Sequence, residues 1–392
     1  MVKITNAAPQ DFSSTDVLFQ TSFWGEFRQK ITNQESLYFW VSYKSDENDK
    51  GVVFPFLVQA RKYCGETYAY AQRAPAILVP EEKRAALLEE LADEMKNHLP
   101  KETLFLRFDL PWNVPGVSNA GERNGSGSGF RAGHSAGHRA EMLELAMNFG
   151  SKFHNLRKAA SNHLCPDTVI IDLRPSPEKL LSSMRQQTRN SIRRAYKEEV
   201  DFSIYDAKSP DLAEKLEEWH EIYEETAKRK GFFFEKLDYF KTLFECAAKA
   251  ENSEPRFEEK SNVPLDACVP PPKFYLFTAS KNGKTLSGLV LAISAKRAYY
   301  MYAASSLAGR GCMPNYGLQW EVIRFARMKG CLQYDLMGIP QDSSKEDPMA
   351  GLYIFKTGFG GQKTHFGGAW DFPYDKERYQ NFRVNETIMM KK

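Results

Sequence analysis

FYLFTAS (Phe274 to Ser280), KNGK (Lys281 to Lys284) and TLSGLVLAIS (Thr285 to Ser294) read together as one β-hairpin. The flanking runs are aromatic and β-branched, which suits a pleated strand, and Asn282-Gly283 supplies the two residues tolerant of positive φ that a tight hairpin turn needs. Working outward, a third strand carries Tyr300-Met301-Tyr302-Ala303. A helix then runs from about Asn315 to Lys329, with Leu318, Val322, Phe325 and Ala326 on one face and Gly330 placed to end it. QYDLM (Gln333 to Met337) closes the unit as a further strand.

The first half of the chain repeats this order. LYFWVSYK (Leu37 to Lys44) and GVVFPFLVQ (Gly51 to Gln59) flank a polar turn, SDENDK, and a third strand ends in Tyr68-Ala69-Tyr70-Ala71. A helix from Glu81 to Leu99 follows Pro80, and TLFLRFDL (Thr103 to Leu110) is the closing strand. Two α+β domains with the same order of elements, and Tyr-x-Tyr-Ala at the same place in each, indicate an internal duplication. Between them lie a strand, Thr168 to Leu173, and helical stretches over Pro177 to Glu199, Pro210 to Lys230 and Leu237 to Ala250. Asn119 to Gly137 is Gly/Ser-rich, Asn252 to Lys273 is charged and then Pro-rich, and both read as loops.

Composition narrows the class. The 392 residues are 42% apolar and 13% aromatic with a net charge of +3, a balance that excludes a largely disordered chain. No run reaches the ~18 apolar residues of a membrane span, and MVKITNAAPQDF has no apolar core of a secretory signal. The six Cys are scattered without a CxxC, which fits reduced thiols and a cytoplasmic location. His134 and His138 have HxxxH spacing inside the Gly/Ser-rich stretch, with no supporting Cys or carboxylate pattern, so no metal site and no cofactor are expected. No GxSxG, Walker or GxGxxG pattern occurs.

Two stretches stand out chemically. Arg185, Arg189, Arg193 and Lys197 are spaced four apart, so one helix from Pro177 to Glu199 lines them on one face. No acidic residue lies between Glu178 and Glu198. Cations without i,i+4 partners suit a polyanion such as RNA or a diphosphate; the alternative is a solvated face with counter-charges from another element. The second stretch is Tyr353-Ile354-Phe355-Lys356-Thr357-Gly358-Phe359-Gly360-Gly361. Read as a strand, it puts Ile354 and Lys356 on one face and Tyr353 and Phe355 on the other, before a Gly cluster that allows a turn or close approach to a ligand. Lys356 is then either a snorkelling surface residue, the reading spacing alone favours, or a cation aimed into a cleft.

Several segments together resemble the Fem-type (FemABX) aminoacyltransferases of peptidoglycan bridge synthesis. They are QTSFWGEF (Gln20 to Phe27), YAYAQRAP (Tyr68 to Pro75), Leu106 to Asp109, Arg189 to Lys197, Arg229-Lys230-Gly231 with Asp238-Tyr239-Phe240, YMYAAS (Tyr300 to Ser305), NYGLQWEVIRFAR (Asn315 to Arg327), YDLMGI (Tyr334 to Ile339) and LYIFKTGFGG (Leu352 to Gly361). There is no room for the long helical arm of the staphylococcal enzymes, so the build is similar to the compact FemX type. The resemblance implies two tandem acetyltransferase-like (GNAT) domains, each a mostly antiparallel sheet flanked by helices. The expected boundaries are 1–165, joined by 366–392, for the first and 166–365 for the second.

It also implies a reaction. An amine on a muramyl-peptide stem attacks the ester carbonyl of an aminoacyl-tRNA, and the protein supplies positioning and stabilisation of the oxyanion. By resemblance Lys356 and Phe355 are catalytic, the first facing the developing charge and the second stacking on the tRNA end or the aminoacyl group. Arg28 matches a cation that contacts precursor phosphates. Tyr239, Tyr300 and Tyr302 match aromatic positions lining the substrate site, with core packing as their alternative, and Asp109 matches a residue of the kind proposed as a base. A second family arginine falls near Glu235 and Lys236, where Glu235 has the wrong charge for a phosphate. The expected partners are therefore aminoacyl-tRNA and either UDP-MurNAc-pentapeptide or lipid II, with room for peripheral membrane contact. The competing enzyme class is an acyl-CoA-dependent N-acyltransferase. Gly309-Arg310-Gly311-Cys312-Met313-Pro314 offers that chemistry some glycine, but Pro314 removes an N–H donor a pyrophosphate would use. A non-enzymatic RNA-binding protein is the third reading.

Overall fold

A computed structural model describes residues 1–9, 12, 15–46, 49–112, 135–231, 233–252, 270–340 and 349–389, with side chains outside 135–140. The chain forms two compact units. Met1–Ser13, Trp24–Pro166 and His365–Lys392 make the first, and Ser14–Phe23 with Asp167–Thr364 the second.

The chain runs β1 (Val2–Asn6), α1 (Ser22–Thr32), β2 (Ser36–Tyr43), β3 (Val52–Tyr63), β4 (Glu66–Ala71), α2 (Glu81–Met95), β5 (Thr103–Leu110), α3 (Ser135–Met147) and β6 (Arg157–Lys158). The second unit follows as β7 (Asp167–Asp172), α4 (Pro177–Ser183), α5 (Gln186–Lys197), β8 (Asp201–Asp206), α6 (Leu212–Lys230), α7 (Leu237–Asn252), β9 (Lys273–Lys281), β10 (Lys284–Ser294), β11 (Arg297–Ser305), α8 (Pro314–Met328), β12 (Gln333–Gly338), α9 (Ala350–Thr357) and β13 (Gln362–His365). The last elements, β14 (Gly368–Pro373) and α10 (Lys376–Met389), return to the first unit.

Each unit holds a seven-stranded sheet, ordered β1-β2-β3-β4-β5-β14-β6 in the first and β13-β7-β12-β11-β10-β9-β8 in the second. The two follow one plan, the tandem acetyltransferase-like α+β layout that the resemblance implied. In each, hairpin-linked antiparallel strands lead to one parallel pair, β4 with β5 and β11 with β12, across a helix (α2 or α8). Antiparallel strands from elsewhere in the chain then complete the sheet. The expected turn at Asn282-Gly283 is present, with φ of 54° and 73° and Lys281 paired to Lys284. Phe56, Leu88, Leu91, Phe108 and Trp370 anchor the first core; Val169, Leu291, Leu318, Val322 and Tyr334 anchor the second.

Three expectations are corrected. The single helix over Pro177 to Glu199 is two, because Met184 and Arg185 are extended (ψ 156° and 145°). No Pro or Gly breaks it. Instead, the Arg185 N–H donates to the Gly358 carbonyl at 2.9 Å, and the Arg189 guanidinium caps the carbonyls of Ser182 (3.1 Å) and Met184 that the end of α4 leaves open. The strand alternation read from Tyr353 to Lys356 lies in the helix α9, which ends at Thr357. So short an alternation does not separate the two periods, and Thr357 Oγ1 donates back to the Tyr353 carbonyl at 2.7 Å within the helix. Third, α3 starts at Ser135, inside the stretch read as a loop; the remainder of that stretch and most of Asn252 to Lys273 lie outside the described residues.

Candidate active site

Lys356 occupies the last turn of α9, where a cation opposes the negative end of the helix, yet it is only 4% exposed. Its ammonium donates to the carbonyls of Gly338 (2.8 Å) and Met337 (3.3 Å) at the end of β12 and stands 4.9 Å from the centre of the Tyr300 ring on β11. The β11–β12 ladder stops at Tyr299 and Asp335. Lys356 thus bridges the two strands just past their last paired residues, inside the second unit. The inward ammonium rules out the snorkelling surface residue, which would keep its charge in water.

Tyr300 and Tyr302, two apart, are not on one face. Tyr300 pairs with Leu291 and Tyr302 with Val290, so Met301 is an extra residue that turns the strand over between them. Tyr300 packs against the core shared with α8, and burial pushes its hydroxyl pKa up. Tyr302 faces α6 and α7. Its hydroxyl lies 2.6 Å from that of Tyr239, and its ring meets Phe240 at 5.0 Å. Burial first, and then the Tyr239 hydroxyl, hold Tyr302 un-ionised well above the usual tyrosine range. The core-packing role weighed for these tyrosines therefore coexists with the polar pair.

Phe355 is partly buried between Tyr316, 5.0 Å away edge-on, and Phe359 at 5.1 Å. The following glycines approach protein backbone. A Cβ on Gly360 (φ +80°) would meet the Ser183 carbonyl at 2.8 Å, and one on Gly361 would meet the Ile170 carbonyl at 2.9 Å and the Val169 side chain at 2.6 Å. This close packing locks the end of α9 against α4 and β7, which holds Phe355 and Lys356 in place.

In the first unit, Arg28 is partly buried on α1, and its charge reaches Arg61 and His163. Arg61 lies over the Tyr70 ring at 4.1 Å, and the Tyr68 hydroxyl and His163 Nε2 are 2.9 Å apart. Asp109, at the end of β5, is 1% exposed, accepts from the Tyr70 hydroxyl (3.1 Å) and pairs with Arg73 at 3.5 Å. Burial pushes its carboxyl up, against the pull of Arg73. Neither Arg61, Arg73 nor His163 was singled out from sequence; the only signal was the Tyr68-x-Tyr70 pair, whose partner strand carries Arg61 opposite Tyr68.

The basic stripe is only partly a stripe. Thr188, Ser191, Ile192 and Ala195 are the buried face of α5, packed where Gly317 of α8 lets Ala195 approach closely. Arg185, Arg193 and Lys197 are exposed, whereas Arg189 is folded back on the α4–α5 junction. Among the described residues no three His, Cys, Asp or Glu side chains converge as a metal site, and no helix is long and apolar enough to cross a membrane.

The FemAB family model matches residues 6–250 and 275–386. The lipid II:glycine glycyltransferase of Staphylococcus aureus (strain USA300) is 22% identical over 258 residues, which cover 54% of this chain and 60% of the length of that relative. The crystal structure of FemX aligns over 97% of this chain and 100% of its own with a TM-score of 0.66 at 17% identity. A tandem GNAT protein from the clavulanic acid biosynthesis pathway aligns over 95% of this chain and 98% of its own, with a TM-score of 0.44 and 10% identity.

Proposed function

The chain belongs to the FemAB family, and from that premise we propose that it transfers an aminoacyl group from tRNA to an amine on the stem peptide of a peptidoglycan precursor. The observation that carries the reading is the inward ammonium of Lys356, held by two carbonyls and a tyrosine ring where the β11–β12 ladder ends. In the proposed reaction the stem amine attacks the ester carbonyl. The C–N bond forms, the C–O bond to the tRNA ribose breaks, and the proton lost by the amine ends on the ribose oxygen. The ester is already activated, so the demand on the protein is alignment and a fixed positive charge beside the tetrahedral oxyanion. Lys356 supplies that charge.

Phe355, framed by Tyr316 and Phe359, offers an aromatic face beside it for the aminoacyl or adenosine end of the donor. By resemblance, Arg28 is assigned to the precursor phosphates and Tyr300, beside the Lys356 ammonium, to the acceptor end of the precursor; Tyr239 and Tyr302 pair on the other face of β11, and Asp109 is engaged by Tyr70 and Arg73. The exposed Arg185, Arg193 and Lys197 are assigned to the tRNA backbone. The relative named for lipid II supports a lipid-linked acceptor over a soluble nucleotide precursor. The test is a transfer assay with tRNA charged with a labelled amino acid, offered lipid II and UDP-MurNAc-pentapeptide separately. Label on lipid II is the expected result. Acyl transfer from an acyl-CoA to an amine, with none from tRNA, would sink the proposal and favour the N-acyltransferase reading.

A further inference from the structure

The position of Lys356 depends on how β12 ends, and one carboxylate shapes that end. Successive carbonyls of a strand point to opposite sides, yet those of Met337 and Gly338 both accept from one ammonium. They converge because Met337 is left-handed, with φ 57°, a conformation that a residue with a side chain keeps only when its surroundings hold it. The hold is Asp335. Its Oδ1 accepts the N–H of Met337, two residues on, at 2.8 Å, as short acidic side chains do in turns. The same oxygen accepts the hydroxyl of Thr168 from the neighbouring β7. Asp335 is 4% exposed and Thr168 1%; the bond between them is buried and the one to Met337 partly so. The β12–β7 register skips after Asp335 and resumes at Gly338 opposite Thr168, which places the turned residues between two fixed points.

We propose that Asp335 is a positioning residue for the reaction: by holding Met337 left-handed it aims two consecutive carbonyls at the Lys356 ammonium and so fixes where that charge stands. The inference rests on the proposed aminoacyl transfer for its functional half. Its structural half, the carboxylate-held turn, is separately testable. Asp335 itself need not touch a substrate.

The experiment compares wild type, Asp335→Ala, Met337→Gly and the double variant Asp335→Ala/Met337→Gly, each checked for folding by circular dichroism. One readout is the kcat and KM of aminoacyl transfer. The other, independent of activity, is the rate at which an acylating reagent labels Lys356 relative to the exposed Lys197, read by peptide mass spectrometry. Asp335→Ala is expected to lower kcat by about 10²-fold, the scale of an ångström misplacement, with KM for the precursor little changed, and to speed labelling of Lys356. Glycine enters the left-handed region without help, so adding Met337→Gly is expected to restore both readouts in large part. Should Asp335→Ala fail to fold, Thr168→Val, which removes only the hydroxyl that orients the carboxylate, is expected to move both readouts in the same direction by less. Unchanged labelling of Lys356 in Asp335→Ala or, where that does not fold, in Thr168→Val, or no recovery in the double variant, overturns the turn mechanism. Changed labelling with unchanged kcat overturns the functional role. Absence of aminoacyl transfer by the wild type defeats the reading of the function instead, while the labelling still decides the turn.

Discussion

Lys356 Nζ lies 2.8 Å from the carbonyl oxygen of Gly338, joining the last turn of α9 to the end of β12. The same ammonium serves structure and the proposed chemistry, and the two uses are separable in magnitude. Lys356→Met keeps the length of the side chain but takes the donor from two partly buried carbonyls, which costs about 1–3 kcal/mol of stability. Loss of a preorganised charge at an oxyanion costs about 2.7–4 kcal/mol in the barrier, or about 10²–10³ in kcat. The expected variant is therefore folded, with a lowered melting temperature, and almost inactive in single-turnover transfer while still binding precursor. Near wild-type turnover would remove Lys356 from the reaction.

The two roles found among the cations of α5 and its N-cap Arg185 give opposite expectations. Replacing the exposed Arg185, Arg193 and Lys197 by Gln is expected to leave the melting temperature within experimental scatter. It should also flatten the dependence of log K for tRNA on log salt by about 0.7–0.9 for each phosphate that is no longer neutralised. Arg189→Gln is expected to do the reverse, lowering stability by about 1 kcal/mol because the carbonyls of Ser182 and Met184 lose their cap, with a smaller change in salt slope. Filter binding across a salt series, beside thermal melts, separates the pair. An unchanged slope in the triple variant makes α5 a plain solvated face.

The order of elements was legible because each signal was local. The hairpin at Asn282-Gly283 follows from turn chemistry, and α2 and α8 follow from apolar spacing over more than ten residues. What failed was decided by tertiary structure. The break at Met184–Arg185 is set by Gly358, far along the chain. The helix α9 is too short for its period to be distinguished from an alternating strand. The separation of Tyr300 from Tyr302 comes from one extra residue in a ladder whose partner strand sequence alone does not register. Of the site, the pairing of Phe355 with Lys356 came from resemblance. The inward direction of the lysine needed coordinates, and Asp335 lay unread in the YDLMGI segment because its work is done through the backbone of Met337.

Lys158 makes a prediction about pH. Its amine donates to the carbonyls of Ala369 (2.9 Å) and Gly367 (3.2 Å), and burial pulls its pKa down to about 8. In the unfolded chain a lysine titrates near 10.4. Between these values the unfolded state binds more protons, so stability rises with pH over roughly 8 to 10. Below pH 8 both states are protonated and the contribution is flat at its least favourable. Chemical denaturation at a series of pH values should show this rise in wild type and a flatter profile in Lys158→Met. Parallel profiles would mean that the buried amine keeps an ordinary affinity for its proton.

Arg107 makes the last prediction, through the carboxylates on either side of it. It is fully buried in β5 and donates to both oxygens of Asp371 (2.7 and 2.8 Å) on β14 and both of Glu386 (2.7 and 3.0 Å) on α10. Tyr379 donates to Asp371 and Ser161 to Glu386, so the carboxylates keep neutral donors even without the arginine. One cation between two buried anions means the substitutions are not equivalent. Glu386→Gln leaves a one-to-one pair, retains hydrogen-bonding groups, and should be the mildest. Arg107→Met removes the cation that lies between the two carboxylates; breaking a buried pair from one side costs about 3–5 kcal/mol, and this case belongs at the upper end. Because α10 is held on the sheet by Glu386, protease cleavage ahead of α10 should accelerate in Arg107→Met before global unfolding is seen. Urea melts with limited proteolysis check both points. Equal destabilisation by the two variants would show that the network acts through packing, with its charge balance making no difference.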